Sequence, residues 1–446
     1  MRFKSIIKVV LFSYILLGVT SANAVTERDK FKRIHDRIAG IHPDEATLQA
    51  MENACTSGYT DDNGINHPGG AVGSAQCYEA ASYVAIDNPR FYNTTLKNMV
   101  APWTNEAQSV VEPLNDYSAT IIGIVRDNLD FRRILTDNII YTVGNQVVTN
   151  RNENLASPRA PYSGIATFSP SSNQHYIDAE NNDVDLEAYL ARTTQSSALG
   201  IPANAAAGIM TTRAAAKAFY IDGTNRAMFR FTILNHFCND LEFYKDGTRP
   251  SDRIRQDVSR SPGGDSRIYL NNCIGCHAGM DGLAGAFAYY NYEYDPDVDP
   301  DAPNGLNNGI MSYKQNFDPE PFTGHGHKYL INAENFKWGY ETTDDSWVNY
   351  WRNGPNINIG WDINNANLPA SGNGAASLGA ELANTNDFAS CQVKKVFKTV
   401  CLRSPVNQAD RDQVASITSN FISGSYNLKR AFVDSANYCL TPSALY

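Results

Sequence analysis

One five-residue string constrains this chain more than any other, Cys273-Ile274-Gly275-Cys276-His277, where two cysteines and a histidine fall within a single turn. Two thiols held so close can add across the two vinyl groups of a porphyrin, and the adjoining imidazole can then reach its iron. The string therefore reads as the attachment site of one haem c, with Cys273 and Cys276 forming the thioethers and His277 the proximal iron ligand. Two other chemistries use Cys-x-x-Cys. A zinc site needs a second pair of Cys or His at ligand spacing, and no second Cys-x-x-Cys exists here. A redox dithiol sits beside a βαβ pattern, which the residues around Asn272 do not show. Because Cys-x-x-Cys-His occurs once, the chain alone is not a multihaem wire.

The sixth coordination position decides whether such a haem carries electrons or performs chemistry. Met280 is the right residue type but lies within a turn of His277, so it is expected to pack near the haem edge. Met311 and His327 are the alternative distal ligands, because tens of intervening residues let the chain cross to the opposite face. His325 shares the stretch Gly324-His325-Gly326-His327, which also reads as a loop with exposed histidines or a stray divalent-metal pair. Tyr289, Tyr290, Tyr292 and Tyr294 are expected to be packing aromatics rather than an electron relay.

The first residues have the layout of a secretory signal. Arg2, Lys4 and Lys8 precede an apolar stretch from Val9 to Val19, and Ala22-Asn23-Ala24 forms a small-residue cleavage site. Cleavage after Ala24 is expected; the apolar stretch is shorter than the roughly 20 residues a membrane span needs, so no span is expected in the mature chain. Losing three basic residues takes the charged count from 37 basic and 47 acidic to 34 and 47, a net of −13. So acidic a surface repels phosphate backbones and anionic lipid, which argues against nucleic acid as a partner.

Export also bears on the other six cysteines, Cys55, Cys77, Cys238, Cys391, Cys401 and Cys439. An even remainder in an oxidising compartment reads as up to three disulfides, with Cys55–Cys77 the one local pairing expected and the rest open. Some of the six as buried free thiols is the alternative.

Helical signals dominate the rest. Pro43-Asp44-Glu45 opens a helix that runs to Cys55 and closes at Gly58; Asn407 caps a run through Ile422, and Asn427 another through Ala436. Val396, Phe397, Val400 and Cys401 recur at helical spacing and imply one buried face. The fold class is therefore mainly α, with a cytochrome c-like haem domain flanked by N- and C-terminal helical domains and long irregular loops. Expected divisions are a signal peptide over 1–24, an N-terminal helical domain over 25–222, a haem c-binding region over 223–345 and a C-terminal helical domain over 346–446. Stretches 144–183, 295–308 and 353–374 read as linkers or functional loops. The acidic tract 295–301 fails the EF-hand pattern, with Pro300 at the glycine position and Leu306 at the terminal glutamate position, and reads as a solvated loop.

The stretch from Cys273 to Gly285, CIGCHAGMDGLAG, resembles the haem domain of the planctomycete-type cytochrome c proteins, in which Cys-x-x-Cys-His is followed by an Asp-x-Leu-Gly-like turn. Upstream, Asp130-Phe131-Arg132-Arg133-Ile134-Leu135-Thr136 and the step Gly223-Thr224-Asn225-Arg226 are similar to that group's helical N-terminal domain. Downstream, Phe388-Ala389-Ser390-Cys391-Gln392 with Val396-Phe397 looks like its C-terminal helical domain. The resemblance implies a monohaem redox protein and transfers neither substrate nor distal ligand. Gly282 stands where that pattern has Pro, which implies a looser proximal turn.

Together these readings give an exported monohaem cytochrome, located in the periplasm, that passes single electrons to a periplasmic or outer-membrane redox partner. Two other classes stay open. One is a haem-dependent oxidoreductase, peroxidase- or oxygenase-like, with an open distal site. Its motive is the large non-haem portion, since a simple carrier needs only about a quarter of this length. The other is a binding or scaffold module in which the haem is a structural staple.

Overall fold

A computed structural model describes residues 25–144, 160–221, 225–250, 262–294, 309–315, 344–358, 361 and 368–440. The signal segment, the acidic tract 295–301, His325 and His327 lie outside the described residues. The fold is mainly helical, and the described residues form four short two-stranded antiparallel sheets: β1 (Tyr59–Thr60) with β2 (Asn66–His67), β3 (Ile140–Thr142) with β4 (Ala191–Thr193), β5 (Tyr290–Glu293) with β6 (Ile310–Tyr313), and β7 (Ser346–Val348) with β8 (Ser371–Asn373).

Local signals set the helix limits where they are strong. Helices α1 (Glu27–Ile38), α2 (Glu45–Ser57) and α3 (Ala75–Ile86) open the chain. Asp44 caps α2 by accepting from the Thr47 N–H at 2.7 Å, and Gly58 ends it at a φ of 88°. Helix α4 (Asp116–Arg126) is buried on every side, so it runs through the core rather than over it. The stretch 144–183, expected to be a linker or functional loop, holds helix α5 (Gln174–Asn181), pinned where the Tyr176 hydroxyl donates to the Tyr141 carbonyl at 2.6 Å. Eight residues give too few turns for an apolar stripe to stand out, and here tertiary contact decides.

Helices α6 (Arg213–Phe219) and α7 (Asn225–Phe237) lead to the motif segment, α8 (Ser266–Asn272) and α9 (Ile274–Ala284). The chain closes with α10 (Gly374–Ala383), α11 (Asn386–Cys401), α12 (Gln408–Ser423) and α13 (Leu428–Tyr438). Asn407 caps α12 by accepting from the Asp410 N–H at 2.8 Å, and Asn427 caps α13. Along α11, Val396, Phe397 and Val400 are buried as expected while Cys401 is half-buried, and with Phe388 and Cys391 they form a face packed on α7, α12 and α13.

Three disulfides, Cys55–Cys77, Cys238–Cys391 and Cys401–Cys439, tie α2 to α3, the end of α7 to α11, and the end of α11 to the end of α13. Helix α13 also packs on α1 and α3, so the first and last of the described helices lie side by side. One continuous apolar core runs from Phe31 to Leu440 and takes residues from all three sequence divisions. Among the described residues no helix is long and apolar enough to cross a membrane.

Candidate haem-binding site

Helix α8 is capped by Asp265, which accepts from the Arg267 N–H at 2.9 Å, and ends at Cys273. The Cys273 carbonyl accepts from the N–H groups of Cys276 and His277 at 3.2 and 3.1 Å, so the five residues form one closed turn. Helical geometry then breaks. Ala278 is extended and Gly279 takes a φ of 91°, after which the helix resumes from Met280. Only glycine fits there, because a Cβ on Gly279 would lie 2.2 Å from Trp351 Nε1, on top of the strain of that φ.

Two straps hold this turn. The first is the segment 244–250: Asp246 N–H donates to the Gly275 carbonyl at 3.0 Å, and Gly279 N–H donates to the Pro250 carbonyl at 3.2 Å. The second comprises strand β7 (Ser346–Val348), which pairs with β8 (Ser371–Asn373), and the turn Tyr350–Arg352 that follows. A Cβ on Gly282 would meet the Tyr350 ring at 2.6 Å, and one on Gly285 would meet the Ser346 carbonyl at 2.3 Å. The glycine in place of proline at 282 therefore brings Tyr350 flush against the backbone, and α9 continues through it. Trp351 and Trp361 lie in an aromatic group that includes Phe229, Phe237 and Tyr244, and both indole N–H groups are buried with no hydrogen-bond partner among the described residues.

Below the turn sits a buried ion pair. Asp281 is fully buried, and His277 Nδ1 lies 3.2 and 3.3 Å from its two oxygens. Arg226, at the start of α7, donates from Nε to the same carboxylate at 2.6 Å. A carboxylate only accepts, so Nδ1 carries the proton and the other ring nitrogen, Nε2, is the one with a lone pair for a metal. Burial pushes the Cys276 thiol up, while nearby Lys245 pulls it back down.

Among the described residues, Asp62, Asp87 and Glu187 form the one group of three His, Cys, Asp or Glu side chains whose ligand atoms lie within 4.8 Å of one another. Cys273 and Cys276 are half-buried and unpaired, beside the exposed Ile268 and Leu270 of α8.

Of the other residues expected near the iron, Met280 is buried in α9. Met311 is buried in strand β6 (Ile310–Tyr313), opposite Tyr292 of β5 (Tyr290–Glu293), in a hairpin packed on α6. Tyr290 and Tyr292 are packing aromatics, Tyr290 donating to the Ala205 carbonyl at 2.6 Å. A polar cleft of about 300 Å³ lies elsewhere, lined among others by Glu112, Asn115, Arg213 and Lys217. Sequence reading gave no role to Asp281 or Arg226, although both stood in the strings that carry the family resemblance. The four-residue step from His277 to Asp281 was no signal by itself, because the helix breaks between them at Ala278 and Gly279.

No protein-family model, curated protein or solved structure matches this chain.

Proposed function

We propose that this chain is an exported c-type cytochrome that carries one covalent haem at Cys273, Cys276 and His277 and passes single electrons to a periplasmic or outer-membrane partner. The observation behind it is the division of the cysteines: six are paired and the two of Cys-x-x-Cys are not. Adjacent thiols in an oxidising compartment close into a disulfide unless something else holds them. The likeness to the planctomycete-type cytochrome c proteins supports the same reading and a cytochrome c-like haem domain.

Bound haem c would supply a one-electron reservoir; the rest falls to the chain. Cys273 and Cys276 tether the porphyrin edge, and His277 presents Nε2 while Asp281 holds its ring. Buried Trp351 and half-buried Tyr350 lie close against the α9 backbone at Gly279 and Gly282. Met311 and His327 stay as the alternative sixth ligands.

Intact mass and absorption spectra in both oxidation states test the proposal. The mature protein should gain one haem and show a low-spin spectrum, and Cys273→Ala/Cys276→Ala should lose both. No added mass, or zinc at the thiols, would sink it. A haem enzyme with an open sixth position is the second reading, favoured by the carboxylate on His277, since a more basic imidazole donates more strongly to iron. A high-spin ferric spectrum that shifts with cyanide would select that reading.

A further inference from the structure

The His277–Asp281–Arg226 chain has a consequence that an ordinary haem tether does not need. We propose that Asp281 is the positioning residue of the proximal ligand: it holds His277 with Nδ1 protonated, makes the imidazole a stronger donor, and biases the site toward ferric iron. This inference rests on the haem reading above.

Three observations carry it. First, the carboxylate is fully buried, so its pull on Nδ1–H is not dispersed by water. Second, Arg226 reaches it at 2.6 Å from another helix, which fixes the carboxylate against both α7 and α9. Third, the approach depends on the break at Ala278 and Gly279, so His277 and Asp281 are not neighbours through regular helical spacing. Across that break the Asp281 carboxylate still reaches His277 Nδ1, at 3.2 and 3.3 Å from its two oxygens. A break against which Trp351 is packed tightly is built in rather than incidental.

Negative charge shared onto an axial imidazole raises its basicity and stabilises the more positive oxidation state of the metal. Asp281→Asn keeps the size and an acceptor oxygen but removes the charge. The reduction potential of the holo-protein should therefore move positive. Simple loosening of the turn would do the opposite, because water entering the site stabilises the charged ferric form. The sign of the shift thus separates positioning from mere structural support.

The experiment is a potentiometric titration of full-length holo-protein, parent and Asp281→Asn, after intact mass has established one covalent haem in each. A positive shift in the variant supports the inference; no shift or a negative one overturns it while leaving the cytochrome reading intact. A parent without added haem sinks that reading and this inference together. Should Asp281→Asn fail to accumulate, Asp281→Ser serves in its place: it too removes the charge, so its potential should also move positive, and an unmoved or negative potential there overturns the inference.

Discussion

The braced helical region, α1–α3 with α11–α13, and the motif segment over 262–294 are held together by different means. In the helical region, caps and apolar stripes define each helix and disulfides join helix to helix, so every contact is already made by the chain. The motif segment has little of this. It is held by backbone hydrogen bonds to one strap, by glycines laid against a second, and by one buried ion pair, while its two thiols stay free and exposed apolar residues flank them. On the proposed function, a bound group would complete the packing of the motif segment.

The largest effect on stability comes from the bridge that closes the longest loop. Cys238–Cys391 closes a separation of 153 residues and joins the end of α7 to α11. Cys238→Ser/Cys391→Ser should cost about 4 kcal/mol by urea unfolding, since long loops gain the most unfolded-state entropy when opened. Haem content, by contrast, should stay near that of the parent under native conditions. Loss of haem in step with stability would erase the distinction between the two regions.

Gly279→Ala probes the other side. The added Cβ meets both an unfavourable φ and the Trp351 indole, a combined penalty of about 3 kcal/mol. The expected result is a drop in the fraction of molecules carrying haem, with the urea midpoint by far-ultraviolet circular dichroism moving less than for the bridge variant. A midpoint shift of the full amount would mean that the motif segment unfolds as one unit with the helices.

The contrast also explains what could be read from the residues. Caps such as Asp44, Asn407 and Asn427 act over three residues, and the stripe on α11 repeats over sixteen, so their helices are visible in the string of letters. The motif triplet was equally plain, because covalent chemistry demands those residue types at that spacing. Asp281 and Arg226 were not, since their roles come from a contact made across the helix break at Gly279 and from a helix 55 residues upstream. Helix α5 and the straps over 244–250 and 346–352 were hidden for a related reason. Each is shaped by what it lies against rather than by its own periodicity.

The smallest expected effect concerns charge inside the helical region and runs in the stabilising direction. Asp87, at the end of α3, accepts from the Tyr59 hydroxyl at 3.0 Å and from the Asp62 N–H at 2.8 Å through one oxygen, while its other oxygen is buried without a hydrogen-bond partner. Burial pushes its carboxyl up to about 6, against the pull of Lys429. A carboxyl that binds its proton more tightly folded than unfolded contributes stability that is complete below the unfolded value near 4 and is lost as pH rises through about 6. At neutral pH the fold therefore carries an unfavourable buried charge. Asp87→Asn should raise stability by about 2 kcal/mol at pH 7.5, with little change at pH 4. Urea titrations at the two pH values measure the difference, and the haem spectrum should be the same in variant and parent. A variant no more stable at pH 7.5 would show that Lys429 already balances the charge. An altered spectrum would show instead that the helical region and the motif segment are electrostatically one.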